Sequence, residues 1–149
     1  MIVDRAYAEY TTYSSFTTII PQDDTIPQNT EGTELLTASI TPKLSTNIIR
    51  VRFFSVITLS AINTGVGALF KDSGANALAA CQFTSPIGNY LGPLYMEYEE
   101  SAANTSARTY KIRVGPGSTA TLYINGNSSS RIFGGIARST LVIEEIQPP

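Results

Sequence analysis

The sequence predicts a single all-β domain, a sandwich or barrel of about eight or nine short strands. Three observations carry that reading. The 149-residue chain holds 18 Thr and 15 Ser scattered among Tyr, Ile, Val and Phe, and β-branched and aromatic residues suit a pleated, half-buried surface. Apolar and polar residues alternate with period two in several runs, as in strands with one buried face. Turn signals cut the chain at short intervals, because Gly permits positive φ and Pro presets φ near about −65°.

In chain order, Met1–Ile19 reads as an extended arm or edge strand leading into the domain. Tyr7, Tyr10, Tyr13 and Phe16 recur every three residues, but the Thr and Ser between them are poor helix formers. Such aromatics, if exposed, would seek a partner such as a neighbouring subunit. Residues 20–149 form the sandwich domain itself. Pro21 and Pro27 stiffen its first loop, where Asp23 and Thr25 can bond the local backbone. Glu31-Gly32 then turns the chain into a strand, Glu34 to Ile40. After Thr41-Pro42-Lys43, the odd positions Ile49, Val51, Phe53, Ser55, Ile57 and Leu59 form one face, with Arg50 and Arg52 on the other. Asn63 to Gly67 reads as a turn, as does Asp72-Ser73-Gly74, held by Asp72. Ala75–Ala80 has helical composition, yet Cys81, Phe83 and Thr84 behind it suit a strand equally well. Breaks follow at Ser85 to Asn89 and Gly115-Pro116-Gly117. Tyr110, Ile112 and Val114 alternate with Thr109, Lys111 and Arg113, and Ala120, Leu122 and Ile124 with Thr121, Tyr123 and Asn125. Asn125-Gly126 is a strong hairpin signal.

Composition narrows the function. With no His, the usual general base near neutral pH and the commonest metal ligand are missing. One Cys allows neither an intrachain disulfide nor a Cys-rich zinc site. A net charge of −2 lacks the basic stripe of a nucleic-acid binder. Hydrophobic residues at 42% and charged residues at 15% argue against disorder. Ile48 to Ile62, the most apolar stretch, carries two arginines and is shorter than the ~18 residues of a membrane helix. No secretory signal is expected, since Asp4 and Arg5 interrupt the first apolar residues. These features point to a protein that is not an enzyme and needs no cofactor or metal.

Each chemical candidate has a plain structural reading. Glu97 and Glu99 share a strand face with Glu100 opposite, a spacing that suits cation binding or acid–base work but equally a solvated strand end. Cys81 sits in an apolar setting that raises its pKa and keeps it a thiol. A Ser–Lys pair would have to use Lys43, Lys71 or Lys111, none of which has a supporting motif. Tyr90, Tyr95 and Tyr98 around Gly92-Pro93 could stack on a sugar face or serve as packing. Asn125–Ser130, the most polar loop, is the first to test for ligand contact.

Two long motifs resemble a known family. Ile20-Pro21-Gln22-Asp23-Asp24-Thr25-Ile26-Pro27-Gln28-Asn29-Thr30-Glu31-Gly32 is similar to an opening motif of small β-domains in bacteriophage virion and tail-fibre proteins, followed there as here by Thr-Pro-Lys (Thr41-Pro42-Lys43). Ala68-Leu69-Phe70-Lys71-Asp72-Ser73-Gly74-Ala75-Asn76-Ala77-Leu78-Ala79-Ala80 fits as well. The shorter Arg131-Ile132-Phe133-Gly134-Gly135 and Ile143-Glu144-Glu145-Ile146 extend the resemblance to residue 146; Met1–Ile19 lies outside it. The resemblance implies an antiparallel, jelly-roll-like β-sandwich of about eight strands with an N-terminal arm or edge strand. It implies a non-enzymatic virion structural protein, tail- or fibre-associated, assembled in the host cytoplasm as a homotrimer. The implied partners are its own copies, other virion proteins and a host-surface glycan, with neither nucleic acid nor membrane insertion. It transfers no catalytic, cofactor-binding or metal residue and identifies no binding residue. Capsid decoration is the alternative within that class; a stand-alone carbohydrate-binding module is one outside it. A glycan hydrolase would rest on Glu97 and Glu99 alone.

Overall fold

A computed structural model describes residues 1–149 as two antiparallel sheets packed face to face. The first sheet contains β1 (Ile2–Tyr10), β2 (Ser14–Phe16), β4 (Ile48–Leu59), β7 (Gly92–Ser101), β9 (Leu122–Ile124) and β10 (Ser139–Ile146). The second contains β3 (Thr33–Ile40), β5 (Asn63–Lys71), β6 (Ala79–Ser85) and β8 (Arg108–Pro116), in the order β3-β8-β5-β6. β10 pairs with the first half of β4 and β9 with its end, while β1 and β2 pair with β10 and β9 in turn. Counted as lanes, β1/β2 is the first, β9/β10 the eighth, and β3 to β8 fall between. One sheet then runs 1-8-3-6 and the other 2-7-4-5, the interleaving of a jelly roll. The antiparallel β-sandwich expected from the sequence is present, with eight lanes.

Alternation fixes which face is buried. Ile49, Val51, Phe53, Ser55, Ile57 and Leu59 of β4 are buried together with Tyr110, Ile112 and Val114 of β8. They meet Leu94 and Met96 of β7, Leu122 and Ile124 of β9, and Leu141 and Ile143 of β10 in one core. β1 adds Ala6, Ala8 and Tyr10 to its edge, so the N-terminal segment lies in the sheet as its outermost strand. A second, smaller core sits outside the sandwich. Val66, Ala68 and Phe70 on the outer face of β5 are covered by Ile20 and Ala77. The loop from Ile20 to Gly32 is thus a lid on the second sheet. Asp23 Oδ1 accepts the Thr25 amide at 2.9 Å and also the Thr25 hydroxyl. Gly32 at φ +63° leaves no room for a Cβ, which would fall 2.8 Å from the Val114 carbonyl oxygen.

Three local expectations are corrected. Asn63 to Gly67 is strand and not a turn: Gly65 and Gly67 leave space for the opposing sheet, since a Cβ on Gly65 would lie 2.4 Å from Ile57 Cδ1. Asn125-Gly126 is not a two-residue hairpin. β9 and β10 lie end to end on the same side of β4, and the chain makes a long excursion between them, tightened by a bridge from Gly126 to Arg131. For Ala75–Ala80, whose sequence suits helix or strand, the strand reading is the observed one from Ala79 onward, and Ala77 before it packs against the cluster that holds Phe70. The break at Gly115 to Gly117 also comes late, because β8 continues to Pro116.

Candidate functional site

The outer face of the first sheet is a grid of charge and aromatic side chains. Register places Arg5, Glu144, Arg50 and Glu99 in one row across four strands, and Tyr7, Val142, Arg52 and Glu97 in the next. Glu9, Thr140, Phe54 and Tyr95 make the third. Signs alternate along the first row, as cross-strand pairs favour. Arg50 Nε lies 2.6 Å from Glu99 and 3.8 Å from Glu97, and Arg52 bonds Glu144. The Tyr95 hydroxyl donates to Glu97 at 2.9 Å. The paired carboxylates seen in the sequence do share a face, but Arg50 sits between them as their counter-ion. The expected outward positions of Arg50 and Arg52 are the observed ones.

Three connected loops present large apolar side chains to solvent. Ile62 lies between β4 and β5, and Ile87, Tyr90 and Leu91 between β6 and β7; Phe133 and Ile136 lie in the excursion before β10. The Asn89 amide donates to the Leu59 carbonyl at 2.9 Å, and the Ser128 amide to Asn89 Oδ1 at 3.0 Å, which ties the β6–β7 loop to the end of β4 and to the excursion before β10. Ile62, Phe133 and Ile136 are 72%, 74% and 71% exposed. Phe133 also has φ +52° ahead of two left-handed glycines, a conformation unfavourable for a bulky residue. Of these only Tyr90 is a candidate from the sequence; for the others, single large apolar residues inside Gly- and Asn-rich breaks are the available signal.

At the opposite end a charged cluster joins the sheets. Lys71 Nζ lies 3.0 and 2.9 Å from the two Glu100 oxygens, and the Tyr110 hydroxyl donates to the same carboxylate. Buried Arg108 donates to the carbonyls of Ala102 and Asn104 at 2.7 and 3.2 Å. Burial, then the Glu100 hydrogen bond, pushes the Tyr110 phenol well above its usual range. Glu100 therefore acts as a clamp between β5, β7 and β8.

The remaining sequence candidates disperse. Tyr95 faces outward from the first sheet, Tyr98 turns inward toward Glu100, and Tyr90 stacks on Phe83 with ring centres 6.3 Å apart. They do not form one platform. Asn125 is buried, and Asn127 folds its own loop by accepting the Ser129 and Ser130 amides at 2.9 and 2.8 Å. Asp72 holds β8 rather than its own turn, accepting the Thr109 amide at 2.9 Å. Lys43 and Lys71 pair with Asp4 and Glu100, and Lys111 lies on the outer face of β8. Burial pushes the Cys81 thiol up to about 11. Its labelling by a disulfide reagent is therefore expected to stay slow at pH 8 and to rise only as pH approaches 11; fast labelling at pH 8 in the folded protein would contradict that environment.

Comparison with known proteins bears on the fold. No protein-family model matches the sequence, and no curated protein does. The fold is similar to Eiger TNF from S. frugiperda, at 10% identity over 97% of this chain and 92% of that one, with a TM-score of 0.53. Murine APRIL aligns at 12% identity over 89% of this chain and 99% of that one, with a TM-score of 0.42. A protein of the infectious bursal disease virus Gx strain aligns at 8% identity over 98% of this chain and 38% of its own, at 0.44.

Proposed function

We propose that the protein is a non-enzymatic structural component of a bacteriophage virion, tail- or fibre-associated, that works by assembling with its own copies as a homotrimer and with other virion proteins. The observation that carries this reading is the exposure of Ile62, Ile87, Tyr90, Leu91, Phe133 and Ile136 on loops tied to one another through Asn89. Six large apolar side chains on connected loops, one held in a costly backbone conformation, suit burial against protein. The motif at Ile20–Gly32 supports the phage assignment by its resemblance, and its role as a lid on the second sheet accounts for its length. Attachment to a host-surface glycan belongs to the same proposal.

Gold-labelled antibody against the folded protein tests it on purified particles of the virus that encodes the chain. Label at the tail or fibres is the expected result. Label confined to the capsid shell would replace the tail reading with capsid decoration, and particles without label would overturn the virion role. Phe133→Ser with Ile136→Ser is expected to leave the fold intact while lowering incorporation into particles.

A further inference from the structure

β1 is the free edge of the first sheet: it pairs with β10 and with nothing on its other side. The direction of its backbone groups follows from the ladder. Met1 and Gln147 exchange both backbone bonds, at 3.0 and 2.8 Å, and the register shift between Ile2 and Asp4 absorbs one extra residue. Alternation then turns the amides and carbonyls of Ala6, Ala8 and Tyr10 toward β10, and those of Arg5, Tyr7 and Glu9 toward the empty edge. The Arg5 amide agrees with that parity, since it takes the Asp4 carboxylate at 2.8 Å in place of a ladder carbonyl. The side chains of these same three residues are exposed. Beyond the shift the strand carries neither proline nor lysine to blunt the edge.

We infer that this edge pairs antiparallel with β1 of a second copy, about a two-fold axis at Tyr7. The segment Arg5-Ala6-Tyr7-Ala8-Glu9 is a palindrome of opposite charge. Centred on Tyr7, Arg5 faces Glu9 of the partner subunit, and Glu9 faces Arg5 of the partner subunit. Small Ala6 and Ala8 lie opposite each other on the inner face, and the two Tyr7 rings meet at the axis. All three edge-facing residues become hydrogen-bonded pairs, which gives six backbone bonds. No neighbouring register does this. A centre at Ala6 sets Glu9 against Val3, and one at Ala8 sets it against Tyr7. Pairing joins two four-lane sheets into one of eight lanes and continues the charge grid across the axis. The contacts it competes with are the Asp4 bond to the Arg5 amide, the Tyr7–Glu9 bond at 2.9 Å, and Arg5 over the Tyr7 ring at 4.9 Å. One ion pair comes from farther along the chain, Arg138 to Glu9 at 3.1 Å, which Arg5 of the partner subunit would have to share or displace. The two-fold contact goes beyond the proposed trimer, and where trimers exist it joins one to another.

Sedimentation of the full chain up to about 100 µM tests the pairing, with circular dichroism to check folding. Arg5→Glu and Glu9→Arg each create like-charge pairs on both sides of the axis, and each is expected to raise the dissociation constant about tenfold. The double variant restores opposite charges and is expected to return to within about threefold of the parent. Tyr7→Pro removes an amide that the fold does not use, so it should fold and fail to pair. A monomer at the highest concentration overturns the inference, even if the protein is found in particles. So does a trimer indifferent to these variants, which would leave the proposed assembly standing. Weakening by both single variants without rescue by the double overturns this register.

Discussion

Glu145→Ala is expected to destabilise the fold by about 2–4 kcal/mol. Glu145 lies on the inner face of β10 with no solvent exposure. Its Oε1 accepts the Lys43 amide at 2.7 Å, the Leu44 amide at 3.2 Å and the Asn47 side-chain amide at 2.6 Å. Those donors hold the turn between β3 and β4, where the chain crosses from one sheet to the other. Alanine would remove the acceptor of all three. Asn47 is buried, where a donor without an acceptor costs about 1–3 kcal/mol, while the Lys43 and Leu44 amides lie in the more exposed turn and cost less. Against a total stability of about 5–15 kcal/mol this is severe. Glu145→Gln keeps an acceptor at the same place, so urea denaturation should show a much smaller shift of midpoint. Equal losses for the two variants would mean that the carboxylate's charge, rather than its hydrogen bonding, holds the turn.

Asn125→Ala is expected to cost about 3–4 kcal/mol, for two separable reasons. The side-chain amide donates to the Tyr10 carbonyl at 2.7 Å and the Thr12 carbonyl at 3.2 Å. Its oxygen accepts the Ser139 hydroxyl at 3.0 Å, and Ser139 is in turn 2.6 Å from Ser55. One residue thus closes the breaks in two adjacent lanes, between β1 and β2 and between β9 and β10. It does so at φ +62°, a conformation that costs alanine about 1–2 kcal/mol and asparagine less. Asn125→Gly relieves the backbone and removes only the bonds, so it should recover about 1 kcal/mol relative to alanine. If glycine and alanine unfold at the same denaturant concentration, the backbone contributes nothing there.

Both residues show how the sequence misleads locally. Asn125-Gly126 has the composition of a tight hairpin because asparagine and glycine both accept positive φ, and the observed break needs that same property. What differs is the destination of the chain, which β4 decides by offering one edge to two successive strands. Glu145 beside Glu144 looks like a charged tail, yet alternation turns Glu144 toward Arg52 and Glu145 into the interior. Most loop residues of the proposed assembly surface have no signature in the sequence for a related reason. Isolated apolar residues in turns show no period, and the bonds that tie their loops together through Asn89 exist only after folding.

The sequence by itself determined the class: alternation in residues 49–59 and 110–114 buries one face of each strand, which calls for β-sheet packed through those faces in a sandwich or barrel. It also determined that Arg50 and Arg52 point away from the core and that Cys81 lies in apolar surroundings. The tertiary structure alone decided the lane order, the lid formed by Ile20–Gly32, the counter-ion between Glu97 and Glu99, and the free edge at β1. The physical reason is range. Alternation is a property of neighbouring residues, whereas pairing partners are chosen by the closure of the whole core, and the unpaired edge is what that closure leaves over.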